Sequence, residues 1–435
     1  MAFQDIRKSR KLLSPTDIGF VLGVIVLSVA LLALNIYLAR TLQGGEWLFM
    51  RWSGARAFLF EKTDAYGLPI AQQVQTLVYG REAFLEEYPY VVNDPLYIVL
   101  LYTPLAILKE LFSIFSPSVA VFIDFSVARG IWMLFSEFAL VGIVLFSVRL
   151  TEWKIPRWMF IVLIGFGLFN PYSVNAILSA SPTIFLTLIY LGILMLLQSF
   201  SDELAGALLF LVAYQWEVGA LFFLFILVFV VANRRWSVFT GFGMLLIVFM
   251  VVAFILNSIW FIPYARAILF DWRRGVSYSF GFTLSDVFPL VSLAVGRWLS
   301  IGVAVLLLFE TILSVNEYIM HVTWVAFLSL ALNPIMGFAI FPSNHVVLLP
   351  AFILFVALAW ERWENKRALL SVGLLSFVFI FSYGIYFQSI YATSNLYGDL
   401  LKIIPPIMAI IALYWMRWWA VRPPRIWADQ LGGRK

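Results

Sequence analysis

Glu46, Asp64, Asp94 and Glu217 are the carboxylates whose positions suit acid–base or substrate-holding chemistry. Glu46 follows Gly44–Gly45 at the end of a long apolar run, where the chain turns along a membrane surface. A carboxylate half shielded there disfavours its charged form, and the raised pKa suits a general base that takes a proton from a hydroxyl. The plain alternative is an interfacial charge that ends the run. Asp64, before Ala65-Tyr66-Gly67, reads as a turn residue or as a hydrogen-bond partner for a substrate. Asp94 precedes Pro95, the pattern of a helix N-cap with proline at the first helical position. Glu217, beside Gln215 and Trp216 and near the middle of an expected span, is costly in lipid and is expected to face a polar cavity. Asp124 and Arg129, five residues apart, can pair locally, and Glu137 lies in the same run. Arg51, Arg56, Arg266, Arg273, Arg274 and His345 are the cations that could hold a phosphate. Arginine suits that task because its planar fork donates in pairs and keeps its charge, and a lipid headgroup is the competing ligand for each. Asn344 stands beside His345 in a Pro- and Gly-containing turn, 333–345; His321, near Glu317, reads as structural. No P-loop, GxGxxG, HExxH or GxSxG motif is present. With no cysteine and two separated histidines, neither a zinc site nor thiol chemistry is expected, and no cofactor is implied.

The elements that must position these residues belong in a membrane. Of the 435 residues 63% are hydrophobic and 12% charged, whereas a soluble domain has about 45–50% and about 25%. Apolar runs begin near Ile18 and recur to Ala420, each of roughly 20 residues and able to cross about 30 Å of hydrocarbon. The fold class predicted is an all-α polytopic membrane protein of about 12 transmembrane helices, a single integral membrane domain. Its runs include 95–114, 119–148, 158–177, 182–199, 203–232, 286–309 and 318–341. A long first extracytoplasmic loop, 40–94, is expected to carry interfacial helices, one of them amphipathic through Trp47, Phe49, Trp52, Ala55, Phe58 and Leu59. Residues 261–285 form a further external loop. Arg7, Lys8, Arg10 and Lys11 place residues 1–17 in the cytoplasm, and an even span count returns the tail, 421–435, to the same side. Arg234–Arg235 and the Arg362, Lys366 and Arg367 group agree with that alternation; Arg149, Lys154 and Arg157 oppose it. Pro171 and Pro182 point to short or broken helices nearby. The net charge of +5 sits at helix ends, so it reads as a topology signal and not as a nucleic-acid site. The expected location is the cytoplasmic membrane of a bacterium.

The order of these segments resembles the polyprenyl-phosphate-sugar-dependent membrane glycosyltransferases of the C superfamily, most closely glycosyltransferase family 87. The resemblance covers most of the chain. It is carried by GGEWLFMRWSGARAFLFEKTDAYG at 44–67, DPLYIVLLYTPLAIL at 94–108, ARGIWML at 128–134 and LSASPTIFLTLIYLGILML at 178–196. It continues through DELAGALLFLVAYQWEVGALFFLFILVFVVANRRW at 202–236 and NPIMGFAIFPSNHVVLLPAFIL at 333–354. The resemblance implies transfer, with inversion, of a sugar from a polyprenyl-phosphate donor to a lipid or glycan acceptor on the extracytoplasmic face. It puts Glu46 where the family usually has an aspartate base, and Arg56 at the arginine of the following helix. Arginines or His345 would then stabilise the phosphate that leaves. Departures are present. Ser181-Pro182 replaces a Gly-Gln pair, Gln215-Trp216-Glu217 replaces a lysine before proline, and Asn93-Asp94-Pro95 replaces an aromatic-proline start.

Two other classes compete. An inactive relative that serves as an accessory subunit of a membrane complex, with protein partners, explains the replaced cationic position. A transporter is the third reading, but its paired halves have no counterpart in a chain whose one long polar segment follows the first span.

Overall fold

The computed structural model describes residues 15–315, 319–363, 365–391 and 396–421. The basic residues before position 15, Glu317 and the tail from Arg422 onward lie outside these. The described residues are helical, without strands, and an isolated antiparallel bridge joins Ser279 to Ala339. Among the described residues eight helices are long and apolar enough to cross a membrane, and one bent pair adds a ninth. The protein is therefore a polytopic integral membrane protein.

Helix α1 (Pro15–Thr41) is apolar on every side, and only 6% of its spanning window is buried, as expected of a helix set in lipid. The chain turns at Gly44 and Gly45 (φ 129° and 85°) into α2 (Glu46–Arg56), and α3 (Leu68–Tyr79) follows. The side on which they lie is termed the loop face. α2 is not the surface amphipathic helix expected from its sequence. Trp47, Leu48, Met50, Arg51, Ser53, Gly54 and Ala55 are all buried, so α2 is an internal support of the loop face.

Four short helices come next: α4 (Leu96–Val99), α5 (Thr103–Ala106), α6 (Leu108–Phe115) and α7 (Pro117–Ala120). Leu96–Phe115 has the length and hydropathy of a span. Both of its ends, however, are tied to residues 40–56. Asp94 is paired with Arg51, while Arg40 donates to the Phe122 carbonyl (3.1 Å) and lies 3.9 Å from Asp124. Between these ends, Trp52 donates to the Leu105 carbonyl and Arg56 holds Glu110. The segment thus returns to the face it left, broken by the 3-10 turn Leu100–Tyr102 and by Pro104.

Helix α8 (Phe125–Leu150) leaves the loop face alongside α1. Gly130 permits the approach, since a Cβ there would lie 2.9 Å from the Ile36 backbone nitrogen. Asn35 crosses the same interface to Glu137 (3.0 Å), which gives that intramembrane carboxylate a partner. α9 (Arg157–Phe169) and α10 (Pro171–Leu178) lead back, bent by 50° where Asn170 caps α10 and Pro171 opens it. This is the broken helix that the prolines predict. α11 (Thr183–Gln198) descends again.

The run 203–232, expected as one span, is two antiparallel helices, α12 (Asp202–Val212) and α13 (Trp216–Ala232). Arg235 pairs with Asp202 and donates to the Leu197 carbonyl, so the end of α11, the start of α12 and the end of α13 meet on the far face. A single helix of thirty residues would measure about 45 Å, too long for about 30 Å of hydrocarbon. α14 (Ser237–Leu256) runs beside α12 with their backbones in contact, because a Cβ at Gly206 or Gly241 would sit 1.9 Å from a carbonyl oxygen of the other helix.

α15 (Phe261–Gly275) and α16 (Phe280–Val287) cover the loop face. The remaining helices are α17 (Leu293–Ser314), α18 (Ile319–Leu332), α19 (Leu349–Arg362), α20 (Arg367–Tyr391) and α21 (Leu396–Val421). α17 starts several residues later than the sequence predicts. The span that ends in α19, Pro342–Arg362, is 94% buried and forms the centre of the molecule. On the far face Trp360 packs against Trp153 and Trp158. Nearby, Arg417 of α21 holds the buried Glu310 of α17 through two hydrogen bonds (2.8 and 2.9 Å).

Candidate functional site

Glu46 opens α2 at the Gly44–Gly45 turn, and Arg129 of α8 clasps that turn. Nη1 of Arg129 donates to the carbonyls of Ala39 (3.2 Å) and Leu42 (2.8 Å). Its Nη2 donates to those of Gln43 (3.2 Å) and Leu178 (2.6 Å). One guanidinium therefore satisfies the open C-terminal ends of α1 and α10 together. The expected local Asp124–Arg129 pair does not form; Asp124 caps α8 through the Val127 amide. Only glycine fits the turn, since a Cβ at Gly45 would lie 2.7 Å from Arg129 Cδ. Glu46 is half-buried, and burial pushes its carboxyl up to about 7, against the lowering pull of its own amide and of Arg129. That value suits a base working near neutral pH.

Trp47, the next residue, leads to a second polar group. Its ring packs on Tyr88, Tyr90 and Phe341, and its carbonyl accepts from Arg51 Nη1 (2.8 Å). Arg51 and Asp94 form an ion pair with Nε 2.5 Å from Oδ2 and Nη2 3.1 Å from Oδ1, both side chains 1% exposed. Asp94 is thus not the predicted N-cap; Pro95 takes that position without a side-chain bond. The reason is energetic, because a buried guanidinium without a counter-charge is very costly.

Asp271 of α15 accepts from the Tyr88 hydroxyl (2.6 Å) and from Asn93 Nδ2 (2.9 Å). Burial raises its pKa, and these two bonds oppose the rise. Sequence reasoning did not single out Asp271. Its signal was the row Ala267, Asp271 and Gly275 at four-residue spacing, which is the buried face of α15. Glu217 stands in the first turn of α13, at the hairpin tip and not in mid-span. It is within electrostatic reach of Asp271, Arg51 and Asp94, and its carboxylate accepts no hydrogen bond among the described residues. Asn333 fixes the backbone there by donating to the Glu217 carbonyl (2.7 Å) and accepting from the Leu221 amide (2.9 Å). Arg51, Asp94, Glu217 and Asp271 thus bring three carboxyls to one guanidinium, and burial raises the pKa of Glu217 and Asp271, which disfavours their charged forms.

The other predicted site residues lie elsewhere. Asp64 is exposed and makes the turn, accepting from the Tyr66 amide (3.0 Å). Arg56 is held by Glu110 (2.7 and 3.1 Å) and the Ala106 carbonyl, over the Trp52 ring. Arg266 and Arg273 are exposed on α15, and Arg274 binds the Leu85 carbonyl. Asn344 accepts from the Thr183 hydroxyl (3.0 Å). His345 packs edge-on to Tyr172 and lines a separate small cavity with Asn170, Ser382 and Pro405. Of the cations that could hold a phosphate, Arg51 and Arg56 already carry counter-charges. Among the described residues no cluster of three or more His, Asp or Glu is arranged to hold a metal ion. The arrangement offers a base of near-neutral pKa at a rigid turn and an acidic group behind it. No family model, curated protein or solved structure matches the chain at a significant level.

Proposed function

We propose that the protein is an inverting membrane glycosyltransferase that works at its loop face with Glu46 as general base. The observation that carries this reading is the placement of the half-buried Glu46 at the Gly44–Gly45 turn clasped by Arg129, where burial raises its pKa. The acceptor hydroxyl attacks the anomeric carbon, its proton passes to the Glu46 carboxylate, and the bond from that carbon to the phosphate oxygen breaks. The polyprenyl phosphate leaves with the bonding electrons. Donor and acceptor class rest on the resemblance to family 87, with the acceptor a lipid or glycan. Arg51, the cation beside Glu217 and Asp271, is already paired with Asp94, so the departing phosphate is placed away from that group, on the Glu46 side of Trp47.

The topology proposed alongside has twelve crossings. The segment 96–115 is not one of them, and α12 and α13 count separately. Arg149, Lys154 and Arg157, Arg234–Arg235 and the Arg362, Lys366 and Arg367 group then share the far face with both termini, which the positive-inside rule assigns to the cytoplasm. The loop face is extracytoplasmic.

A second reading is favoured by one specific observation: Arg51 and Arg56 are sequestered in ion pairs. An accessory subunit in a membrane complex needs no free cation at this place. Transfer of labelled sugar from a panel of polyprenyl-phosphate sugars, in membranes carrying wild type or Glu46→Gln, separates the two. Turnover by wild type that the folded variant lacks supports the enzyme. Absence of turnover with every donor, together with co-purification of a constant set of proteins, supports the subunit.

A further inference from the structure

Helix α15 starts at Phe261, shortly after α14 reaches the loop face at Leu256. With Ala267, Asp271 and Gly275 turned inward, its outer side exposes Leu269 (56%) and Trp272 (62%) together with Arg266 and Arg273. These two arginines have no partner among the described residues. Beside α15 stands a second apolar tip, Phe84–Leu85, with Leu85 81% exposed. This tip is held firmly. Arg81 stacks 3.6 Å from the centre of the Phe84 ring and forks onto Glu87 (2.7 and 2.8 Å), which accepts from the Phe84 amide (2.8 Å). Arg274 ties the Leu85 carbonyl to α15, and the Tyr278 hydroxyl holds the Glu86 carbonyl (3.2 Å). Exposed apolar side chains on so braced a support mark an interaction surface.

Position and chemistry select the occupant. The helix begins at the level where a spanning helix leaves the hydrocarbon, and it combines tryptophan and leucine with arginine on one outer side. That combination matches the interfacial layer of a bilayer, where indole rings sit among headgroups and guanidinium groups meet lipid phosphates. Glu82 accepts from Gln72 (2.9 Å) and Glu87 is neutralised by Arg81, which leaves Glu86 as the acid nearest the tip. Attraction to phosphate is therefore carried by Arg266 and Arg273.

We propose that the outer side of α15 and the Phe84–Leu85 tip seat together in the bilayer interface on the loop side, with Arg266 and Arg273 on lipid phosphates. Asp271 is on the inner side of the same helix, so this seating fixes one wall of the acidic group to the membrane surface.

The chain has no cysteine, so single labels can be placed without background. The full-length protein carrying Leu85→Cys, Trp272→Cys or Gln73→Cys is spin-labelled in nanodiscs containing anionic and zwitterionic phospholipids. Collision rates with oxygen and with a water-soluble nickel chelate are then compared. Gln73 is exposed on the side of α3 away from Ala71, which faces Ala267, and serves as the aqueous reference. The expected result is an oxygen-to-nickel ratio several-fold higher at Leu85→Cys and Trp272→Cys than at Gln73→Cys. Ratios equal to the reference overturn the proposal. Labels shielded from both agents overturn it too, since a protein surface then covers the patch. In Arg266→Gln/Arg273→Gln the ratio at Trp272→Cys should fall toward the reference; an unchanged ratio removes the phosphates from the assignment.

Discussion

Two consequences follow from the Glu46 carboxyl, and they run in opposite directions with pH. A base must be ionised, so kcat/KM should rise about tenfold per pH unit below the carboxyl's pKa and level off above it; the bend is expected near 7. Stability behaves otherwise. The folded chain holds the proton from 4.5 up to about 7, while the unfolded chain releases it at the lower value. The folded state therefore binds more protons in that window, and the contribution to stability, complete below it, is lost as pH rises. Wild type should become less stable relative to Glu46→Gln between pH 5 and pH 7 in about the proportion this shift dictates, as read from thermal unfolding in detergent. A constant difference would remove the raised pKa. The position of Glu46 was legible in the sequence because a Gly-Gly pair after an apolar run can only be a turn at the interface. Arg129 was misread for the opposite reason. A neighbour five positions away in sequence is visible, whereas four carbonyls at the ends of two distant helices are not.

At the scale of the element, the turn and the ion pair make separate predictions. Gly45→Ala forces alanine into the left-handed region, at about 1–2 kcal/mol, and also drives its Cβ into Arg129. Gly80→Ala is the control, because Gly80 has φ 71° with nothing within 4 Å of the added carbon. Both substitutions should lower the unfolding midpoint. Gly45→Ala should in addition lower kcat at least tenfold, since Glu46 moves with the turn; equal effects on activity would show that the clasp does not position it. For Arg51 and Asp94, removing one partner leaves a buried charge and should cost about 3–5 kcal/mol. The double substitution Arg51→Met/Asp94→Leu should be far less harmful than the sum of the singles, as measured by denaturant unfolding. Elements were legible in the sequence where a local rule decides them. Asn170-Pro171 caps and bends α9–α10 through its own side chain. The α12–α13 hairpin was missed because its ends are joined by Arg235 and Asp202, residues thirty-three apart, although the excessive length of the run already argued against one helix. α2 was missed because its amphipathic pattern says nothing about α3 and the segment 96–106 that pack against it.

At the scale of the whole molecule, strict alternation of apolar runs and the observed contacts agree on the number of crossings proposed and disagree on which segments make them. Hydropathy counts 95–114 as a span and 203–232 as one, whereas the ties from Arg40 and Arg51 return the first segment to its own side and Arg235 folds the second in two. In the proposed topology the two differences cancel in the total but reverse every segment between them, which accounts for the opposition of Arg149, Lys154 and Arg157 to the charge rule. The prediction is correspondingly sharp. Ser118 and Lys154 are both exposed, and with no native cysteine each can be replaced singly by Cys. In sealed vesicles of known orientation, a membrane-impermeant maleimide should label Ser118→Cys from the same side as Gln73→Cys, and Lys154→Cys only from the opposite side. Simple alternation predicts the reverse at both positions. Labelling of Lys154→Cys from the loop side would mean that α8 does not end where the basic residues belong. It would also remove the loop-face assignment of Glu46, because Arg129 ties the start of that helix to the Gly44–Gly45 turn.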